Sequence, residues 1–183
     1  MRWAPPEVVA SATRGDRGAT DELIAAIWPR CFRLAATVIG DRELAQDAAQ
    51  EACAIVHRKV RWLRDAAAFD AWLYRIVMRE ANRVRRRRAI AVEPRFEAST
   101  DPDATAAMDV WRALAVLSPE LRDVVVLFYF DDLKTEEIAA ILHVAHATVR
   151  TRLNRARERL RGSLRDYGDE PAPARFEVTP HVV

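Results

Sequence analysis

The stretch "AAILHVAHATVRTRLNRARERLR", residues 139–161, decides between an ordinary surface helix and a DNA-binding motif. A short apolar segment is followed by a break near His143 and then by a helix-like run rich in arginine. In that run, apolar residues recur at a 4-3-4 spacing, which places them on one buried helix face: Val149, Leu153, Ala156 and Leu160. Two short helices that share a core through a tight turn are typical of a helix-turn-helix.

The other face of the second helix carries side chains suited to DNA. In a helix-turn-helix, the N-terminal residues of the second helix contact base edges in the major groove. Arginine can bind guanine through two hydrogen bonds, and threonine can contact the methyl group of thymine. The residues expected at the groove are Ala147, Arg150, Thr151, Asn154 and Arg155. A helical hairpin in an ordinary bundle is the alternative that the spacing leaves open.

Charge is concentrated in blocks, although the net charge of the 183-residue chain is only +2. Residues 75–88 and residues 150–165 each hold seven arginines and one acid, whereas residues 93–109 hold five acids and one arginine. Solvated helix faces, the alternative interpretation, usually interleave the two signs. The separation therefore favours two surfaces that face a polyanion, joined by an acidic connector.

The stretch "FDAWLYRIVMREANRVRRRR", residues 69–88, contains the first basic block. Aromatic rings among arginines suit opened or single-stranded nucleic acid, because bases stack on the rings while guanidinium groups bind phosphates. The aromatic residues could instead belong to the core, which is the interpretation we favour for Trp72. A membrane-surface helix is a further alternative, but Glu80 and Asn82 interrupt its face. The run "RVRRRR" could also be a localisation signal.

Helical periodicity extends through nearly the whole chain, and no stretch alternates convincingly with a period of two. Pro29 is expected to open a second helix, Gly40 to end it and Asp41 to cap the next one. The flanks of "VVVLFYF", residues 124–130, favour a buried helix over a strand, and Thr135 is expected to cap the helix that follows.

The stretch "VEPRFEASTDPDAT", residues 92–105, interrupts the helical periodicity with prolines, acids and small polar residues. The sequence therefore predicts an all-α fold with two small helical domains. We place the domains at 15–90 and 105–167, with an acidic flexible linker at 91–104 and a disordered tail at 168–183.

A polar cluster of Asp47, Gln50 and Glu51 lies beside an apolar stripe in residues 41–60. No histidine or third acid lies near enough in sequence to make it a catalytic or metal site, so an exposed docking face is favoured. Cys53 and His57 supply at most half a metal site. No glycine-rich phosphate loop or nucleophile elbow occurs. We therefore expect no catalytic residues, no cofactor and no bound metal.

Three segments, in this order, resemble the extracytoplasmic-function (ECF) sigma factors of bacterial RNA polymerase. Residues 40–52, "GDRELAQDAAQEA", are similar to the region 2 helix that docks on the polymerase clamp. Residues 69–88 are similar to the helix that melts the promoter and recognises the −10 element. Residues 117–161 resemble region 4, the helix-turn-helix that recognises the −35 element.

The resemblance implies a dissociable initiation subunit that binds polymerase core at the clamp and flap, binds promoter DNA and is controlled by an anti-sigma factor. The implied clamp contacts are Asp47, Gln50 and Glu51. The implied −10 contacts are Phe69, Tyr74, Arg75, Arg79, Arg83 and Arg86. The implied −35 contacts are Thr135, His146, Ala147, Thr148, Arg150, Thr151, Asn154 and Arg155.

The sequence departs from the family at a few positions. His143 stands where the family commonly has glycine, so its backbone must either adopt a positive φ or reshape the turn. Arg79 and Arg83 stand where relatives often have asparagine and aspartate. These departures bear on the turn geometry and on which −10 sequence is recognised.

Two other classes of protein compete with this interpretation: a stand-alone helix-turn-helix repressor or activator, and a module that binds only another protein. The first leaves the domain at 15–90 without a role, and the second makes both basic blocks incidental. The N-terminus lacks the apolar segment of a secretory signal, and no apolar run is long enough to span a membrane. We therefore expect a cytoplasmic protein without membrane insertion.

Overall fold

The computed structural model describes residues 3–91 and 113–166, and within these ranges the chain is helical without a β-strand. The α-helices are α1 (Pro6–Thr13), α2 (Arg17–Ile39), α3 (Arg42–Lys59), α4 (Phe69–Ala91), α5 (Pro119–Val125), α6 (Thr135–Leu142) and α7 (His146–Asp166). Two 3₁₀ turns, Val60–Trp62 and Ala66–Ala68, connect α3 to α4, and a π-helical turn, Val126–Phe130, continues α5. The all-α prediction is confirmed for the described ranges.

The first domain is built on α2, α3 and α4, which pack against one another. Helix α2 continues through Pro29, so the prediction that Pro29 opens a new helix was wrong. Proline removes one backbone donor from a helix interior. Here a buried stripe runs across that position and holds the helix together: Leu23, Ile27, Cys31 and Leu34.

The boundary between α2 and α3 agrees with the sequence. Gly40 ends α2 with a φ of 75°, a left-handed conformation that glycine adopts without a steric penalty. Asp41 caps α3, because its Oδ1 accepts a hydrogen bond of 3.0 Å from the Leu44 backbone N–H. Two neighbouring residues, Gly40 and Asp41, therefore fix the start of α3, the helix that carries Asp47.

Helix α1 lies before the predicted start of the first domain at residue 15. It packs against α2 and against both 3₁₀ turns, with Val8, Val9 and Ala12 buried. Trp3 precedes it and is also buried, with its ring edge-on to Tyr74 at a centroid distance of 4.8 Å. The N-terminal residues are therefore part of the first domain.

The second domain contains the predicted helix-turn-helix, formed by α6 and α7. Residues 124–130 are helical, as expected, but only residues 124–127 are buried, and Tyr129 and Phe130 are exposed. Thr135 is the first residue of α6 rather than its cap. The backbone N–H of Lys134 instead donates to Glu137 Oε2 at 2.8 Å. The linker predicted at 91–104, apart from its first residue, and the tail at 168–183 lie outside the described residues.

His143 has a φ of 54° and a ψ of 45°. Of the two alternatives that the sequence left open, a positive φ or a reshaped turn, the structure shows the positive φ. The turn is closed by the Val144 backbone N–H, which donates to the Ala139 carbonyl at 3.1 Å. A residue with a Cβ carries a steric penalty in this conformation.

We expect the His143→Gly variant to raise the free energy of unfolding of the second domain by about 1 kcal/mol, because glycine avoids that penalty. Denaturant unfolding followed by circular dichroism measures the change. Ala140→Gly, at an exposed position inside α6, is the control. Its free energy of unfolding should instead fall by about 1 kcal/mol, because glycine is a poor helix former. Destabilisation by both changes would contradict the assignment of strain to His143.

The two domains pack against each other. Helix α6 contacts α4, and the π-helical turn contacts α2. The buried apolar side chains of both domains belong to one cluster. The structure therefore shows the chain in a closed arrangement.

Candidate nucleic-acid interface

Helix α7 buries the stripe expected from its spacing. Val149, Leu153 and Ala156 are buried, and Leu160 packs on their cluster. On its other side, α7 exposes the residues expected at the major groove: Ala147, Arg150, Thr151, Asn154 and Arg155. Thr148 is partly buried between the two faces. The helix thus presents a polar face in a fixed orientation, as a recognition helix requires.

The start of α7 is held by side chains of α6. Thr135 Oγ1 and His146 Nε2 are 2.7 Å apart, and His146 Nε2 lies 3.3 Å from Glu136 Oε1. These contacts connect the first turns of the two helices. They orient His146 beside the exposed face rather than away from it, which sequence spacing alone could not show.

Two of the exposed polar side chains already have partners within the chain. Thr151 donates its hydroxyl proton to the Ala147 carbonyl at 2.9 Å, which leaves its methyl group and oxygen lone pairs for a base edge. Asn154 Oδ1 accepts a hydrogen bond of 3.3 Å from Arg157. Its amide group is the part that remains for DNA.

Arg157 was not predicted, although it completes a cleft beside the recognition face. Its Nε donates to the Tyr129 hydroxyl at 2.9 Å, and its guanidinium lies over the Phe128 and Tyr129 rings. The cleft measures about 340 Å³ and is lined by Phe128, Thr135, His146, Arg150, Leu153, Asn154 and Arg157. Sequence inspection missed this cleft. The signal was the aromatic pair Phe128 and Tyr129 just before the helix-turn-helix, together with Arg157 on its second helix.

The first basic block lies on α4, but the two aromatic residues expected at the −10 element, Phe69 and Tyr74, are buried. Phe69 is 1 % exposed and Tyr74 is 2 % exposed. The Tyr74 hydroxyl accepts a hydrogen bond from Arg30, and burial raises the pKa of Tyr74 above its usual range. Neither ring is accessible for stacking on a base in this structure. The expectation that Phe69 and Tyr74 contact −10 DNA is therefore corrected, because both rings are core residues.

The arginines of α4 remain on or near the surface. Arg79 and Arg86 are exposed, whereas Arg75 and Arg83 are partly buried. Glu80 is buried and pairs with two of them, Arg79 at 3.2 Å and Arg83 at 2.6 Å. This carboxylate fixes the two guanidinium groups in place on the helix. The basic surface of α4 is thus partly ordered before any nucleic acid binds.

Trp62 is an exposed aromatic residue between α3 and α4 in the chain, and it was not predicted. Its side chain is 63 % exposed at the end of the first 3₁₀ turn, and the Arg61 guanidinium lies 4.9 Å from its ring centroid. A ring and a guanidinium group side by side on a surface are suited to stacking with an unpaired base and binding its phosphate. Trp62 is thus an exposed ring in the first domain, whereas Phe69 and Tyr74 are buried.

The predicted docking face lies on α3, away from its buried side. Asp47 and Gln50 are exposed, and Glu51 is partly buried. Glu51 Oε1 pairs with Arg58 at 3.1 Å, about two turns along the same helix. Asp47 therefore offers the unneutralised charge of this cluster to a partner.

Other candidate chemistry in the described part of the chain is structural. Cys31 and Cys53 are both buried, and a hydrogen bond between their thiols raises the pKa of Cys31 and lowers that of Cys53. In residues 3–91 and 113–166, no group of three or more His, Cys, Asp or Glu side chains could hold a metal ion. None of the helices searched in these ranges has both the length and the apolar character needed to cross a membrane.

Comparison with known proteins divides the chain in the same way as its structure. Residues 23–90 match the family model described as Sigma-70 region 2, and residues 107–160 match Sigma-70, region 4. The chain is 35% identical to the ECF RNA polymerase sigma factor SigE of Mycolicibacterium smegmatis, a match that covers 93% of this chain and 74% of SigE. It is 36% identical to SigM of Mycobacterium tuberculosis, over 84% of this chain and 81% of SigM.

Two solved structures share the fold at low sequence identity. CnrH, in complex with the cytosolic domain of CnrY, superposes with a TM-score of 0.71 at 23% identity, covering 89% of this chain and 98% of CnrH. RpoE of Bartonella quintana, in complex with the anti-sigma factor NepR, gives a TM-score of 0.63 at 23% identity, covering 79% and 96% of the two chains.

Proposed function

The chain belongs to the ECF sigma factors of bacterial RNA polymerase, and we propose that its two basic helices, α4 and α7, divide promoter recognition between them. As a sigma factor, it binds the polymerase core and directs initiation at specific promoters. The observation that carries the proposed division is the presence of two separate basic surfaces, one in each matched region. It acts as an initiation factor in the cytoplasm, without catalysis of its own.

In the second domain, α7 would enter the major groove of the −35 element. Arg150 lies at its N-terminal end and is exposed, in a position suited to a guanine edge. Thr135, His146, Ala147, Thr148, Thr151, Asn154 and Arg155 surround it. Arg157, within the cleft beside this face, would bind a backbone phosphate. Contacts to bases give specificity, whereas contacts to phosphates give affinity and salt dependence.

In the first domain, α4 would follow the opened −10 strand with Arg75, Arg79, Arg83 and Arg86. Trp62, rather than Phe69 or Tyr74, supplies the exposed ring for an unpaired base. Asp47, Gln50 and Glu51 on α3 would bind the polymerase clamp, and the second domain would bind the flap. CnrH and RpoE are seen with CnrY and with the anti-sigma factor NepR. By analogy, this chain would also have an anti-sigma partner.

Run-off transcription with purified core polymerase and a genomic promoter library tests this function. A promoter-specific transcript that depends on the added chain is expected. DNA binding without core binding would instead support a stand-alone regulator, and core binding without transcripts would support a module that binds only protein. Either result would overturn the assignment of α4 and α7 to promoter recognition.

We expect the Trp62→Ala variant to weaken binding of the opened promoter by about 1–3 kcal/mol, because stacking of one base on an aromatic ring contributes that much. Permanganate footprinting of the −10 region in the holoenzyme measures strand opening. Trp62→Phe, which keeps an aromatic ring, is the control and should retain most of the opening. Equal loss in both variants would argue against stacking as the role of Trp62.

A further inference from the structure

We propose that the free chain holds itself closed through an acidic pair on its second domain, Asp123 and Asp131, which binds polar side chains of the first domain and keeps α4 and α7 from reaching their promoter elements together. This proposal rests on the proposed function, because it assigns α4 and α7 to separate elements. The surface concerned is the side of the first domain formed by α2 and α4. Its occupant is the second domain of the same chain.

The first contact joins Asp123 of α5 to α4. Asp123 is 8 % exposed, and its Oδ2 accepts a hydrogen bond of 2.9 Å from Asn82. Its Oδ1 lies 3.4 Å from Arg85 Nη2, and Arg85 also donates to the side-chain Oδ1 of Asn82. Burial raises the pKa of Asp123, an effect that the Arg85 charge opposes. A carboxylate of the second domain thus binds two polar side chains of α4, Asn82 and Arg85.

The second contact joins Asp131, after the π-helical turn, to Arg30 of α2. Arg30 Nη2 lies 3.0 Å from Asp131 Oδ1, with side chains that are only 9% and 12% exposed. The Arg30 guanidinium stacks 4.5 Å from the Trp3 ring centroid and donates to the Tyr74 hydroxyl. The Trp3 backbone N–H donates to Asp70 at 3.2 Å. The N-terminal segment therefore covers the ion pair and shields it from water.

The contact at Asp123 also contains a polar group without a partner. Among the described residues, Arg85 Nη1 is buried without a hydrogen-bond partner. A buried N–H without an acceptor disfavours the state that buries it. Opening would return this group to water. Two charged contacts therefore favour the closed state, and one unsatisfied donor opposes it.

Distance shows why closure matters for function. The −35 and −10 positions are about 25 base pairs apart, which is roughly 85 Å along straight B-DNA. A compact chain of this length has a diameter of about 40 Å. Because the closed arrangement brings Asp123 to within hydrogen-bond distance of Asn82, it cannot place α4 and α7 on both elements. The predicted linker at 91–104 spans at most about 50 Å. The two domains cover the remaining distance between the −35 and −10 elements.

Closure leaves the docking face of α3 and the recognition face of α7 open. Asp47 and Gln50 on α3 and Arg150 and Thr151 on α7 are exposed in the closed chain. Polymerase core can therefore bind the first domain while the chain is still closed. Release of Asp123 and Asp131 would follow, and it would free the second domain for the −35 element.

Small-angle X-ray scattering of the free full-length chain tests closure, with Asp131→Asn and Asp123→Asn compared with wild type. Loss of either carboxylate charge removes an ion-pair partner from a buried arginine, which strongly disfavours the contact. We expect each variant to shift the ratio of closed to open chain by at least about tenfold, which corresponds to 1.4 kcal/mol. The radius of gyration should rise in both variants.

The control is Asp132→Asn, which makes the same charge change at the neighbouring, exposed residue. Its φ of 52° is a conformation that asparagine tolerates, so wild-type scattering is expected. Circular dichroism should show that every variant stays helical. Equal radii for Asp131→Asn, Asp123→Asn and Asp132→Asn, or an already extended wild type, would overturn the proposal. Scattering uses no polymerase, so failure of run-off transcription would count against the proposed function and not against closure.

Discussion

The Asp47→Arg variant is expected to bind RNA polymerase core at least about a hundredfold more weakly than wild type, because a like-charge contact in an interface costs several kcal/mol. The argument starts from the structure of α3, on which Asp47 is exposed and carries the unneutralised charge of its cluster. Glu51 already pairs with Arg58. An acidic face of this kind fits a basic partner surface, and reversal of its charge turns attraction into repulsion.

Binding of labelled core polymerase, measured by fluorescence anisotropy, gives the size of the effect. Glu22→Arg is the matched control, because Glu22 is exposed on α2 and the change in charge is the same. That control should retain nearly the wild-type affinity. The isolated interaction with −35 DNA should be unchanged in both variants. If Glu22→Arg weakened core binding as much as Asp47→Arg, net charge rather than a specific contact would be responsible.

The Arg150→Ala/Arg155→Ala double variant is expected to lose −35 recognition while retaining core binding. A base-contacting arginine contributes about 1–3 kcal/mol, and loss of a phosphate contact lowers affinity for all sequences. We expect a loss of at least about tenfold in promoter affinity, with preference relaxed at one or two base pairs. Both side chains are exposed on α7, so their truncation should leave the buried stripe and the fold intact.

Electrophoretic mobility shifts of the holoenzyme on promoter variants measure this loss. Arg159→Ala/Arg161→Ala removes the same charge from exposed positions farther along α7. It should produce a smaller loss that is independent of sequence and sensitive to salt. A matching loss of base preference in the control would place the recognition surface elsewhere on the helix. Parallel loss of core binding in the Arg150/Arg155 variant would contradict the separation of roles between α3 and α7.

Local patterns predicted the elements of the fold well, because those elements depend on neighbours in the chain. The 4-3-4 apolar spacing identified the buried face of α7, and Gly40 and Asp41 marked the boundary between α2 and α3. For His143 the sequence left open a positive φ or a reshaped turn, and the structure shows the positive φ. The prediction for Pro29 was wrong because burial of a continuous apolar stripe stabilises α2 by more than the loss of one backbone hydrogen bond destabilises it.

The site was predicted less completely than the fold. Charge blocks located the arginine-rich surfaces of α4 and α7, but the sequence could not tell which aromatic residues are exposed. Phe69 and Tyr74 are core residues, whereas Trp62 faces solvent. A ring on an amphipathic helix can face either way until its packing partners are known. Helix α1 was missed because eight residues carry too little periodicity to distinguish a helix from a tail.

By itself, the sequence determined an all-α chain, its helix-turn-helix and its two basic blocks, since each arises from spacing and composition within one segment. Only the tertiary structure decided that the two domains pack together and that Asp123 and Asp131 mediate this packing. Asp131 lies 101 positions from Arg30 in the chain. No local pattern encodes such a pair. It forms because burial brings the two charges into a low-dielectric interface, where each stabilises the other.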